Sequence, residues 1–350
     1  MELTEQQQMA MLAYESFIRR ASEINMPFML KGSYVTRQYF PEGVPRIPAD
    51  LDWVYMHHID EPNTANNIFS QWITLVTEHT TDDSVQFRSF SENAFWRMMD
   101  YAMADDFPTV NTDIRCWVNG VQFDFDLDIS FNLEVNGAAT SLEYRPLKGS
   151  SFLVPYTAPL HLQVAWKIHQ TLVRPRMKDL FDLMYLVQHK DFDREILLQS
   201  FDALLKECLA DEVNLSQLED FLNYRLDKLF EKVSLTDTWN YWRLGRESEN
   251  TWYFGRNDQA SCITNANRLP VKLALFIDQF RQNMEAAGFC IDLLLEFPDE
   301  IAELYQEDNT PAEAEKESTP LSQESPIGSD KSNPENESGS WFTKLLKRLK

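Results

Sequence analysis

The stretch FMLKGSYVTRQYFPEGVPRIPADLDWVY, Phe28 to Tyr55, constrains the fold more than any other. An apolar run, Phe28 to Leu30, stops at Gly32-Ser33, and a helix-prone segment, Tyr34 to Phe40, follows. A loop holding Pro41, Gly43 and Pro45 then leads into Asp50-Leu51-Asp52 and the aromatic run Trp53 to Tyr55. The order predicts strand, tight turn, short helix, loop, strand. Side chains alternate along a strand, so Asp50 and Asp52 leave one face and Leu51 the other. Two carboxylates on one rigid face suit hard, oxygen-seeking cations such as Mg²⁺. A Gly-Ser turn that opens a helix suits a phosphate, because backbone N–H groups and the helix dipole point at it. Together they predict a metal–phosphate site for nucleotidyl transfer.

A second constraint lies further along. Asn111 to Val118 and Val121 to Phe131 read as the arms of a hairpin, because Asn119-Gly120 between them tolerates the positive φ of a type I′ turn. The second arm, Phe123-Asp124-Phe125-Asp126-Leu127-Asp128-Ile129, alternates strictly, with the apolar residues on one face and three Asp on the other. Carboxylates stacked in this way repel unless cations or water screen them. They read either as a solvated sheet face or as the source of a third metal carboxylate.

The remaining elements follow from periodicity. Thr4-Glu5-Gln6-Gln7 is a capping box opening a helix to about Ile24, with Met9, Leu12, Phe17 and Ile24 as its apolar stripe. Helices are expected over Asn66 to Thr77 and Glu92 to Met103, and a strand over Val85 to Phe90. Leu142 to Tyr156 holds the turn formers Pro146, Gly149 and Pro155, which places a domain boundary near Ala158. Beyond it the period is helical: about Pro159 to Val173, Lys178 to His189, Arg194 to Leu209, Leu215 to Val233 and Val271 to Ala287, the last closed by Gly288. Adjacent strand residues face opposite ways, which argues against His57-His58 as a two-His metal site; His161 and His169 read as packing or surface residues. The aromatic and basic residues of Thr236 to Arg268 read as a core beneath a loop rather than a base-stacking surface.

The stretch from Phe28 resembles the nucleotidyltransferase superfamily, whose pattern is Gly-Gly or Gly-Ser, a spacer, then Asp-x-Asp. More narrowly it is similar to the AbiEii/AbiGii toxin family, which reads Leu-Lys-Gly-Gly, then Arg-x-Ser-x-Asp-Leu-Asp. Leu30-Lys31-Gly32-Ser33 and Arg46-Ile47-Pro48-Ala49-Asp50-Leu51-Asp52 stand at those positions, with Pro48 in place of the hydroxyl residue. A second patch follows the family's Glu-Lys-Leu…Arg, then Arg-Asp-Leu-Tyr-Asp-Leu. Lys167, Arg174, Asp179 and Asp182 fall on its positions, Trp166 replaces the Glu and Lys178 the Arg. Without the resemblance, these spacings also describe an interhelical ion-pair cluster.

The resemblance implies an α/β (α+β) nucleotidyltransferase-like core with a mixed sheet, residues 1–157, followed by a helical domain, 158–306. It implies a metal-dependent enzyme that moves an NMP from an NTP to an acceptor, RNA, tRNA or protein, in a toxin–antitoxin setting with an antitoxin partner. A catalytically silent binding protein and a small-molecule nucleotidyltransferase are the alternatives. In this reading Asp50, Asp52 and Asp126 or Asp128 hold two Mg²⁺. Gly32 and Ser33 cradle phosphates, and Lys167, with Arg174, neutralises the triphosphate. Asp179 orients Lys167 or acts as base, and Arg37 and Arg46 contact phosphate or form surface pairs.

Charge and cysteines bound the partners. Net charge is −23, so the chain as a whole gains nothing from counterion release on a long phosphate backbone. Four scattered Cys without a CxxC pair favour a reducing, cytoplasmic setting over a zinc site or disulfide framework. No apolar run is long enough to span a membrane. Residues 307–340, rich in Pro, Ser, Glu and Asn, read as a disordered acidic linker. Residues 341–350 read as a short basic amphipathic helix that would touch a membrane surface, a partner or the chain's own acidic body.

Overall fold

A computed structural model describes residues 3–48, 50–98, 108–231, 234–244 and 263–308. The linker and basic helix expected beyond 308, and the aromatic residues between 245 and 262, lie outside them. Helix α1 (Glu5–Glu23) opens with the expected capping box, Thr4 and Gln7 each bonding the other's backbone N–H. Strand β1 (Phe28–Lys31) ends at Gly32, and one helical turn, α2 (Ser33–Thr36), continues as a 3-10 turn, Arg37–Tyr39. Then come β2 (Leu51–Tyr55), α3 (Pro62–Glu78), β3 (Val85–Phe87), β4 (Arg97–Met98), β5 (Thr109–Val118), β6 (Val121–Ser130), β7 (Thr140–Tyr144) and β8 (Phe152–Thr157).

The strands form one mixed sheet in the order β3-β5-β6-β2-β1-β8-β7, with β4 also paired to β5. β2 runs parallel to β6 and β1 parallel to β8, while β1–β2, β5–β6 and β7–β8 are antiparallel. The β5–β6 hairpin closes as expected, Val118 opposite Val121, with Asn119 at φ 51° and Gly120 at φ 82°. On one sheet face Phe28, Leu30, Trp53, Phe125 and Ile129 pack in a core closed by α1 and α3. There Phe28 stacks on Trp72 at 3.9 Å between centroids, and Phe17 meets the same indole edge-on. Burying a side chain of this size stabilises by roughly 1.5–3 kcal/mol. The opposite face carries Met29, Val54 and Ala158 behind a polar patch that includes Lys31, Asp52 and Asp128.

Helices follow the sheet: α4 (Leu160–Val173), α5 (Met177–Leu186), α6 (Arg194–Ala210), α7 (Leu215–Leu222), α8 (Leu226–Leu229), α9 (Leu235–Arg243), α10 (Leu273–Ala286) and α11 (Pro298–Asp308). They have their own core, in which fully buried Trp239 stacks on Phe276 at 4.3 Å. The described part of the aromatic segment is thus packing, as expected. No helix of the described residues is long and apolar enough to cross a membrane.

Three expectations need correction. Glu92 to Met103 is not a helix in its described part. A 3-10 turn, Phe90–Glu92, precedes β4, and tertiary bonds hold the segment extended: Thr112 Oγ1 donates to Phe95 O, and Trp96 Nε1 to Ser70 Oγ at 3.0 Å. Leu142 to Tyr156 is not only turns: β7 and β8 lie within it, and Pro155 coincides with the irregular part of their ladder, where a missing N–H costs no regular bond. The single helix expected over Leu215 to Val233 breaks at Tyr224, which takes φ 57° and lets Arg225 N–H return to Asp220 O at 2.8 Å.

Candidate active site

The acids gather through strand register. Parallel pairing sets Asp52 beside Asp128 on neighbouring strands, and antiparallel pairing sets Lys31 opposite Asp52. Residues in register share a face, so these three side chains form a transverse row. Asp126, two residues earlier on β6, has Arg97 at 3.2 Å, and Asp124 has Arg115 at 2.8 Å. Of the three Asp on β6, it is therefore Asp128 that stands beside the Asp-x-Asp strand. Asn111 Nδ2 donates to its Oδ1 at 2.6 Å.

The Gly-Ser turn lies against the same patch. Gly32 adopts φ 73°, and a Cβ added there would collide with Asp52 Oδ2. Ser33 Oγ donates to Asp50 Oδ1 at 3.0 Å. The helix after the turn is a single α turn, so its dipole is short, and what it could offer an anion reduces to the turn's own backbone.

The helical part delivers cations through the start of α5. Lys178 Nζ lies 3.4 Å from Asp50 Oδ2, the two side chains being 28% and 47% exposed. Arg176 caps the same helix; its Nε donates to Asp179 Oδ2 at 2.6 Å and its charge is felt by both Asp50 and Asp52. Neither Arg176 nor Lys178 was assigned a role in the sequence, although Lys178 was visible as the residue replacing the family's Arg. Lys167 meets Asp179 at 3.1 Å and Asp182 at 2.8 Å between α4 and α5. Arg174 ends α4 as its C-cap. Arg46 and Arg37 pair inside the fold rather than at the surface: Arg46 is buried against Asp182 at 2.7 Å, and Arg37 meets buried Glu15 at 3.1 Å. His169 is buried beside Asp211 at 3.0 Å and His161 bonds Asn136 O, so both are packing residues.

The proton affinities of the acids split. The Lys178 ammonium holds Asp50 well below the usual carboxylate range, against the effect of desolvation. Desolvation and then the charge of Asp50 push Asp52 up. Desolvation and the charge of Asp52 push Asp128 up to about 7, against the Asn111 bond. Burial would raise Asp179, but Arg176 and Lys167 outweigh it and keep that carboxyl well below its ordinary value. Asp52 and Asp128 are therefore a like-charged pair whose repulsion a divalent cation would relieve. Their hard oxygen donors fit Mg²⁺. Among the described residues, no three Asp, Glu, His or Cys side chains are already drawn into a ligand cluster.

A mixed sheet with a Gly-Ser turn against an Asp-x-Asp strand and a further acid in register is the arrangement expected of a nucleotidyltransferase. A family model described as "Nucleotidyl transferase AbiEii toxin, Type IV TA system" matches residues 17–240, and the chain belongs to that family. A type IV toxin–antitoxin family implies an antitoxin partner. No curated protein matches the chain. Among solved structures it is similar to JHP933 from Helicobacter pylori, with 15% identity and TM-score 0.35 over 84% of this chain and 100% of that one. It is also similar to MenT4, a nucleotidyltransferase toxin from Mycobacterium tuberculosis H37Rv, with 10% identity and TM-score 0.45 over 85% of this chain and 90% of that one.

Proposed function

We propose that the chain transfers a nucleoside monophosphate from an NTP to a hydroxyl of an RNA or protein acceptor, with Mg²⁺ as its cofactor. The acceptor oxygen bonds to the α-phosphorus, the bond from that phosphorus to the bridging oxygen breaks, and pyrophosphate leaves with that oxygen. The acceptor proton passes to solvent or to a carboxylate of the patch. The observation that carries the reading is the register of Asp52 with Asp128, one strand from the Gly32-Ser33 turn.

Asp50, Asp52 and Asp128 would hold the cation, which supplies charge stabilisation for the attacking and leaving oxygens. The Gly32-Ser33 backbone would lie along the phosphates, where a Cβ would close the approach. Lys178 and Arg176 would take the triphosphate charge, Lys as a point cation and Arg as a planar fork. Strong cation pairing makes Asp179 a poor proton acceptor, which supports an orienting role for it. Lys167 then acts on the site through Asp179. With a net charge of −23, the chain suits a short contact at an RNA end better than tracking along a duplex.

Incubation of the full chain with labelled NTPs, Mg²⁺, cellular RNA and protein tests this. Wild type should label a macromolecule, and Asp52→Asn and Asp128→Asn should each lose roughly 10²-fold or more. Label appearing only on a small molecule would replace the acceptor class. No label, or full labelling by both variants, would contradict the proposal.

A further inference from the structure

The row through Asp52 and Asp128 extends across the sheet. Asp128 of β6 stands opposite Asn111 of β5, and Asn111 opposite Arg97 of β4. Side-chain bonds follow the same line. Asn111 Nδ2 donates to Asp128 Oδ1 at 2.6 Å, while Asn111 Oδ1 accepts from Arg97 Nε at 2.9 Å and from its Nη2. Arg97 is in turn anchored on Asp113, Nη1 at 2.8 Å and Nη2 at 2.6 Å, and reaches Asp126 at 3.2 Å. A guanidinium has only donors and a carboxylate only acceptors, so the Asn111 amide satisfies both in a single orientation. Asn111 is buried, and a buried amide in this setting keeps its geometry.

The contrast along β6 gives the arrangement its meaning. Asp124 faces Arg115 and Asp126 faces Arg97, each a direct charge pair. Asp128 is met across the β5–β6 ladder by a neutral amide. A guanidinium at Asn111 would cancel the Asp128 charge and compete with any cation for it. An amide bonds one oxygen and leaves the charge in place. Arg97 polarises that amide, which strengthens its N–H bond to the carboxylate.

We infer that Asn111 is a positioning residue for nucleotidyl transfer: it fixes the Asp128 carboxylate beside Asp52 without neutralising it, and Arg97, anchored by Asp113, fixes Asn111. This rests on the reading of Asp128 as a cation-holding group. Asn111→Leu, close in size, removes all three amide hydrogen bonds; Arg97→Met removes the anchor. The readouts are half-saturating Mg²⁺ and kcat of labelled transfer by the full chain, thermal unfolding, and crystal structures of wild type and Asn111→Leu.

Half-saturating Mg²⁺ should rise about 10-fold or more in Asn111→Leu, the scale seen when a ligand's supporting hydrogen bond is lost. Arg97→Met should give a smaller rise and add nothing in the double variant. In Asn111→Leu crystals the Asp128 carboxylate should leave its wild-type position. A fall in Tm and kcat at unchanged half-saturation would mean Asn111 only stabilises the fold, and would overturn the inference, as would an unmoved Asp128. If Asn111→Leu does not fold, Asn111→Ser, smaller and lacking the amide's reach, is read in the same way. If wild type transfers no nucleotide, the proposed function fails, and the position of Asp128 in the two crystal structures still decides this inference.

Discussion

Gly32 shows how one residue can be fixed by two demands at once. Its φ of 73° is one that side chains with a Cβ rarely adopt, and the space that Cβ would need is filled by Asp52 Oδ2. Gly32→Ala is therefore expected to cost about 1–3 kcal/mol of stability through strain and to displace the Asp52 carboxylate. Thermal unfolding with labelled transfer checks this; a stable variant with wild-type transfer would reduce Gly32 to an ordinary turn residue. The turn, Asp50 and Asp52 were legible because they lie within one local stretch. Asp128 could not be told from Asp126 by alternation, since both occupy the same face of β6. What separates them is non-local: parallel register with β2, and Arg97 arriving from β4 to occupy Asp126. Arg176 carried no local signal, because its reach depends on where α5 begins relative to the sheet.

Helix α5 does two separate jobs from one end to the other. Its first turn turns Arg176 and Lys178 toward the acids, while Asp179 and Asp182, three residues apart, face inward to Lys167 and Arg46. The two lysines should thus fail differently. Lys178→Met, at a partly exposed side chain, should raise the KM for NTP with little change in Tm. Lys167→Met leaves buried Asp179 and Asp182 short of a cation and should lower stability by about 3 kcal/mol or more. Steady-state kinetics beside thermal melts separates them, and the reverse pattern would restore Lys167 to the nucleotide. The elements best read in advance were those with local grammar: the Thr4 capping box, the Asn119-Gly120 hairpin, and the Gly288 stop after α10. The others escaped because tertiary contacts override propensity. β4 is held by bonds from α3 and β5, and the α7–α8 break falls on a Tyr rather than a Gly.

At the scale of the molecule, Glu15 joins segments far apart in sequence. Its buried carboxylate binds Arg37 at 3.1 Å, Leu147 N at 2.7 Å and Tyr144 OH at 3.3 Å, tying α1 to the 3-10 turn after α2 and to the β7–β8 connection. Desolvation, only partly offset by Arg37 and these bonds, pushes it from 4.5 up to about 7. Between those values the folded chain holds a proton that the unfolded chain has released, so stability falls as pH rises through that window and levels off above it. Glu15→Gln lacks this slope. The stability of wild type over Glu15→Gln, measured by urea unfolding, should shrink by on the order of 2 kcal/mol from pH 4.5 to pH 8. A gap that is constant or widens would show that the ion pair outweighs desolvation.

The same whole-molecule assembly brings β1, β2, β6 and α5 to one patch, and its purpose is tested most directly by a crystal structure of the full chain with Mn²⁺ and a non-hydrolysable NTP. The predicted result is an anomalous Mn²⁺ peak between Asp52 and Asp128, with the triphosphate against Gly32-Ser33 and Lys178. Nucleotide bound elsewhere, with no Mn²⁺ at those carboxylates, would contradict the account.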